Sequence, residues 1–272
     1  MYPYAADARV TIAMTSFYRN EMELRCQQTA EIIRDATRAG YQTVIVDGSP
    51  NPAVGKYLRE LGALVFPQQE PGMGASRREV FAWAKAHLGT HRKDEVRIIV
   101  WTEEKPFIVE QIPRIIKPIL NNGYVGVIAK RSEESFHTWP QFQAESEQQA
   151  NAAYNEATRR DSDPMFGPVA FDASHADIFS NCHPERYGVP AFAAGYIQHF
   201  GMLEIMMEGF YQAAWFVADS EPLDVVYPPA QRKEEETALI SEMLEKRRRQ
   251  MEELSEGYRI AALALDLNRG WR

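Results

Sequence analysis

The chain has 272 residues, 45% of them hydrophobic and 25% charged, with a formal net charge of −8. That length holds one large domain or two small ones, and the balance of residue types excludes disorder of the whole chain. The acidic balance argues against general nucleic-acid binding and leaves room only for a local basic pocket.

No apolar run approaches the roughly 20 residues that span a bilayer. Met1-Tyr2-Pro3-Tyr4 lacks the basic and apolar regions of a signal peptide, so the expected location is the cytoplasm. Cys26 and Cys182 make neither a disulfide framework nor a paired metal motif, and are expected to be reduced, structural thiols.

In chain order, Val10 to Thr15 is an apolar run of strand length, followed by helical spacing from Met22 to Ala39. Thr43 to Val46 is a β-branched strand that ends in the turn signal Asp47-Gly48-Ser49-Pro50. A short helix at Val54 to Leu61, a strand at Ala63 to Phe66 and a helix from Ser76 to Leu88, stopped near Gly89, come next. A strand at Val96 to Trp101 leads to a helix over Phe107 to Leu120 that Pro113 and Pro118 interrupt, and then to a strand at Tyr124 to Ala129.

The second part is less regular. Gln141 to Arg160 is polar and helical in pattern, Val169 to Phe171 reads as a strand, and Met202 to Val217, with Trp215, reads as a helix. Pro222 to Tyr227 reads as a strand. Lys233 to Glu256 reads as one long charged helix with Glu-to-Lys/Arg pairs, and its mixed charges argue against a membrane anchor. Ile260 to Leu267 is apolar and either docks the tail or forms a contact between copies.

Apolar strands alternating with amphipathic helices predict a mostly parallel sheet covered on both faces. In such sheets ligands bind beyond the carboxyl ends of the strands, which directs attention to three junctions. Asp47, after the second strand, either holds a nucleoside or merely makes the turn, as Asp and Ser do. Glu70 to Arg78 puts Gly72 and Gly74 before a helix that carries Arg77, a setting suited to phosphate; the bland alternative is a loop with a solvated Arg-Arg pair. Thr102-Glu103-Glu104-Lys105-Pro106 follows a buried strand. Its two carboxylates either ligate Mg²⁺ or Mn²⁺ on a diphosphate or form an ordinary polar strand end.

The histidines lack metal spacing: Gly89 breaks the helix that His87 and His91 would need to share a metal face. Trp139 lies where an acceptor would stack, and Trp101 belongs to the core or to the wall of a base pocket.

Taken together, Thr15-Ser16-Phe17-Tyr18-Arg19-Asn20-Glu21, Val46-Asp47-Gly48-Ser49, Gly72-Met73-Gly74-Ala75-Ser76-Arg77 and the acidic end of the fourth strand resemble the nucleotide-sugar half of GT-A glycosyltransferases, especially the family-two group. The resemblance runs from Val10 to Asp172. It implies a GT-A-like, Rossmann-type α/β domain over residues 1–232, with a nucleotide-sugar half over about 8–130, an acceptor half over 131–232, and a helical C-terminal extension over 233–272.

The activity it implies is transfer of a sugar from a UDP- or GDP-linked donor to a hydroxyl acceptor. Thr15, Ser16, Asp47, Gly72, Arg77, Thr102, Lys105 and Arg232 would bind the donor. Glu103 and Glu104 would hold Mn or Mg, and Glu204 would be the general base, with Glu208 behind it. Two departures stand out: Glu103-Glu104 replaces the usual Asp-x-Asp, and Gln231-Arg232 stand where such enzymes often supply a His. Those departures keep a non-catalytic sugar-nucleotide-binding protein in view. A sugar-phosphate nucleotidyltransferase is disfavoured, because its Gly-rich segment after the first strand is missing. Contact between copies through the C-terminal helices is a further expectation.

Overall fold

The computed structural model describes residues 8–88, 96–212, 216–237 and 241–265. Met1 to Tyr4, Gly89, His91, Trp215 and the end of the apolar tail at Leu267 lie outside the described residues. Seven strands form one sheet: β1 (Ala8–Ser16), β2 (Gln42–Asp47), β3 (Leu64–Pro67), β4 (Val96–Trp101), β5 (Gly126–Ile128), β6 (Val169–Asp172) and β7 (Val217–Asp219). Their order is β3-β2-β1-β4-β6-β5-β7. β1 pairs parallel with β2 and β4, β2 with β3 and β5 with β7, while β6 runs antiparallel between β4 and β5.

Side chains alternate across a strand, and here both faces are apolar. Ala13, Val44, Val46, Ile99 and Trp101 face one core, and Ile12, Met14, Ile45, Ile98 and Val100 face the other. The second core is closed by α1 (Leu24–Ala39), α2 (Pro52–Glu60) and α4 (Ile108–Asn122). The first is closed by α3 (Met73–Leu88) and by helices of the second half. The helices of the second half are, in chain order, α5 (Glu133–Phe136), α6 (Gln141–Thr158), α7 (Ala176–Ser180), α8 (Ala191–Ala194), α9 (Ile197–Tyr211), α10 (Pro229–Thr237) and α11 (Ser241–Ala264), of which α6, α7, α8, α9 and α11 bury apolar residues in the first core. Among the described residues no helix is long and apolar enough to cross a membrane.

Three expectations need correction. α4 runs through both Pro113 and Pro118. An interior proline costs about 3 kcal/mol, and here a buried stripe of Ile108, Ile112, Ile115, Ile116 and Ile119 outweighs it. Pro222 to Tyr227 is not a strand beyond a single bridge between Leu223 and Arg131. Beyond Leu223, two of its backbone N–H groups are taken by side chains: Val225 N donates to Ser135 Oγ and Tyr227 N to Thr138 Oγ1, each at 2.9 Å. The helix expected from Met202 to Val217 starts earlier, at Ile197, and Val217 already belongs to β7. Of the charged helix expected over Lys233 to Glu256, the described residues show α10 up to Thr237 and α11 from Ser241; Ala238 to Ile240 lie outside the described residues.

α11 packs along α6 and buries Met251, Leu254, Tyr258, Ala261 and Ala262 in the first core. Its apolar end therefore docks the tail, although Leu263 is 72% exposed.

Candidate active site

In the register of the sheet, Ser16 stands opposite Asp47, and Ala13 opposite Trp101. β1 thus outruns β4, and Thr102 N continues the ladder by donating to Ala13 O at 3.2 Å. This offset sets Glu103, Glu104 and Lys105 beside Thr15 to Tyr18 at the carboxyl end of the sheet. A cavity of about 610 Å³ opens there, within the range of small-molecule sites. Its sheet-side wall includes Thr15, Ser16, Gly72, Arg77, Glu103, Glu104 and Lys105, and its far side is made by α6, α9, α10 and α11.

Arg77, on α3, is the hub. Its side chain is buried, Nη2 donates to Glu103 Oε1 at 2.7 Å, and Nη1 donates to Gly195 O at 2.9 Å. The guanidinium lies between the rings of Trp101 and Tyr196, at 5.1 and 4.8 Å, an arrangement that holds a cation by ring quadrupoles as well as by charge. Lys105 Nζ stands 3.6 Å from Glu103 Oε2. Burial works against the charge of Glu103, but Lys105 and Arg77 overcome it and hold its carboxyl down to about 2. Glu104 accepts from the phenol of Tyr18 at 2.8 Å, and Tyr18 also meets Thr29 Oγ1 at 2.7 Å. Burial and then Glu104 push that phenol well above its ordinary range, so it stays a donor.

Gly167 closes this corner. Its φ of +102° lies in the region that glycine favours, and a Cβ there would stand 3.4 Å from Lys105 Nζ. Gly72, with φ of +106°, likewise serves the turn before α3.

Four of the expected site residues lie apart from this group. Asp47 does not line the cavity; its Oδ1 accepts from Ser16 Oγ at 2.8 Å and from Ser49 N at 3.1 Å, which is the turn-making alternative. Thr102 is fully buried, its hydroxyl donating to Glu103 O at 3.0 Å. Arg232 points to Glu236 at 2.8 Å and to Thr138 O at 3.2 Å on the outside of α10. Glu204, the expected general base, is turned to Tyr187 Oη, at 3.4 Å, and Cys182, and is not among the residues lining the cavity. On α9 its i, i+4 spacing with Glu208 marks a face of the helix, not a site.

Sequence reasoning missed Tyr18 as the partner of Glu104, and missed the wall made by Gln198, His199, Glu147, Arg247 and Gln250. His199 is buried, and its Nδ1 meets Tyr258 Oη at 2.7 Å. Burial first, and then Arg77, push its imidazole down to about 3, so it is neutral at neutral pH. Glu147 is buried between Arg131, at 2.7 Å, and Arg247, at 3.4 Å. No periodic signal marks these residues, because they come from three separate helices.

No protein-family model matches the chain, and no curated protein matches it in sequence. Solved structures do match in three dimensions. Glucosyl-3-phosphoglycerate synthase from Mycobacterium tuberculosis superposes with a TM-score of 0.53 at 14% identity, covering 91% of this chain and 78% of that one. The fold is GT-A-like. The same synthase in complex with Mn²⁺, UDP-glucose and phosphoglyceric acid gives a TM-score of 0.50 at 14% identity, over 91% of this chain and 80% of that one. A mycobacterial protein gives 0.50 at 14% identity, over 84% and 70%. In this GT-A-like sheet the cavity lies at the carboxyl ends of β1 and β4, where open α/β sheets bind their ligands.

Proposed function

We propose that this chain is a glycosyltransferase that moves a sugar from a nucleoside-diphosphate sugar to a hydroxyl acceptor. One observation carries the reading: in a GT-A-like sheet, Glu103, Glu104, Lys105 and Arg77 converge at the end of β4 on the floor of a cavity of about 610 Å³. Thr15, Ser16 and Gly72 form the adjoining donor wall. Arg77 and Tyr18 fix the two carboxylates, and Lys105 offers a cation to a diphosphate.

Among the described residues no three carboxylate, histidine or cysteine groups gather as a metal cage. Mg²⁺ is commonly held by one or two carboxylates with substrate phosphates and waters completing its shell, and Glu103 and Glu104 fit that donor set for Mn²⁺ or Mg²⁺. Such an ion, when bound, supplies Lewis-acid stabilisation of the departing diphosphate. The ties of Glu103 to Arg77 and Lys105 favour a second reading, nucleotide-sugar binding without turnover.

The similar synthase was solved with Mn²⁺ and UDP-glucose, which makes UDP the first ligand to try. Calorimetric titration with UDP and GDP, each with and without Mn²⁺, is expected to show one nucleotide bound more tightly with the metal. Glu103→Gln and Glu104→Gln should abolish the metal effect. A folded sample that binds neither nucleotide ends the proposal, and binding with no sugar transfer selects the second reading.

A further inference from the structure

The half of the cavity away from Glu103 poses a different chemical question, because its cations are already spoken for. Arg247 stands 3.4 Å from Glu147, and Arg25 stands 3.7 Å from Glu235. On the donor side Arg77 and Lys105 both serve Glu103. Away from that floor, the two remaining cations among the described lining residues, Arg247 and Arg25, therefore each face a carboxylate, and an anionic acceptor would have to break a pair to find a positive partner there.

The second observation is Gln198, the second residue of α9. It lines the cavity and is 0% exposed, and among the described residues neither its Nε2 nor its Oε1 has a hydrogen-bond partner. Buried amides are normally paired, and a glutamine carries one acceptor and one two-proton donor side by side. A phosphate or carboxylate would satisfy the Nε2 group and set its own oxygen against Oε1. A pair of neighbouring hydroxyls satisfies both, one accepting and one donating. Gln250 adds a further amide to the cavity lining, whereas Gln143 is spent on Glu147 and Tyr227.

We infer that the acceptor is a neutral polyol or sugar whose adjacent hydroxyls are read by Gln198, in contrast to a phosphorylated acid. The inference rests on the glycosyltransferase reading above. In the step it concerns, the bond from the anomeric carbon to the diphosphate oxygen breaks, and its electron pair leaves on the nucleoside diphosphate. The acceptor oxygen forms the new bond, and the acceptor proton passes to solvent.

The test first measures UDP and GDP binding, so that a failure of the donor reading is seen by itself. Initial rates are then taken with the donor sugar of whichever nucleotide binds, against D-glucose, D-mannitol and methyl α-D-glucoside on one side and 3-phosphoglycerate and glycerol 3-phosphate on the other. The expected result is kcat/KM at least tenfold higher for a neutral acceptor. Gln198→Leu should lower that value at least tenfold while nucleotide Kd stays within twofold. Gln198→Met, with its melting temperature compared to wild type, guards against loss of fold, since removing an unpaired buried amide should leave Tm unchanged or raised. Faster transfer to either phosphorylated acceptor overturns the inference, as does no transfer to any neutral acceptor when nucleotide binds. Equal loss of nucleotide and acceptor affinity in Gln198→Leu overturns it as well.

Discussion

The two halves of the molecule are stabilised in different ways. From β1 to α4 the face of the sheet covered by α1, α2 and α4 is mainly aliphatic, with Ile12, Ile45, Val100, Ile112 and Ile116 in one cluster. From β5 to α11 the interior also buries polar groups: Arg131 with Asp163 and Glu147, Asn151 with Asp163, and His199 with Tyr258. The first half lines the cavity from strand ends and from Arg77 on α3, the second from helices that roof it. Aliphatic packing tolerates small exchanges, whereas a buried polar network is committed to particular partners.

Breaking the network at its centre tests that comparison most severely. The Arg131 side chain is 0% exposed, donates to both Asp163 oxygens and to Glu147, and lies over the Phe136 ring at 4.0 Å. Arg131→Met leaves buried Asp163 without its cation and Glu147 with Arg247 alone, and removing one partner of such a pair costs about 3–5 kcal/mol. Ile112→Val in α4 should cost only about 0.5–1.5 kcal/mol. Urea unfolding of the two variants measures the contrast; equal losses would mean that the halves are not held differently.

The same contrast explains what was legible beforehand. Strand ends announce themselves: Val46-Asp47 and Trp101-Thr102-Glu103 mark where apolar runs stop, and from them the sheet, its site end and Glu103 with Arg77 could be read. A single ring nitrogen or amide placed by tertiary packing leaves no such mark. Tyr18 reads as loop, Gln198 as one polar residue ahead of an apolar helix, and Glu147 as part of a polar helix. Arg232 and Glu204 were drawn to the site by motif position and by i, i+4 spacing, and neither signal says which way a side chain turns. The extended segment at Pro222 to Tyr227 has strand composition, but its hydrogen bonds go to Ser135 and Thr138.

A pH titration of stability sharpens the comparison at the roof. His199 has Arg77, Glu103, Lys105, Tyr196 and Tyr258 around it, and its imidazole is pushed down to about 3. The unfolded chain takes up a proton as pH falls below the ordinary histidine value, while the folded chain does not. The contribution is therefore fully present above about 6.5 and is lost as pH falls toward about 3, with a one-proton slope of at most about 1.4 kcal/mol per pH unit. Unfolding measured from pH 7 to 4 should be flatter in His199→Gln than in wild type. Parallel curves would remove His199 from the account.

A smaller effect is expected where α11 joins α9. Tyr258→Phe keeps the ring that packs edge-on against Tyr154 at 5.1 Å and deletes the hydroxyl that meets His199. Leaving a buried hydrogen-bonding group unpaired costs about 1–3 kcal/mol. If α11 were only an appended tail, the substitution would leave global unfolding unchanged and alter a separate, earlier transition. One shifted transition would tie α11 to the core.

The smallest effect belongs to Arg232, and it separates motif position from geometry. Its guanidinium is spent on Glu236 four residues along the exposed α10 and on Thr138 O. An exposed pair of this kind contributes about 0.3–0.5 kcal/mol. Arg232→Ala should therefore change stability by no more than about that amount, and nucleotide Kd by less than twofold. Lys105→Ala, which removes a cation from the floor of the cavity, should weaken nucleotide binding clearly more. Were Arg232→Ala to weaken UDP binding tenfold, α10 would have to swing inward over the donor when nucleotide binds. The contacts of Gln231 with Gln28, at 3.1 Å, and of Glu235 with Arg25 would then be those that open first.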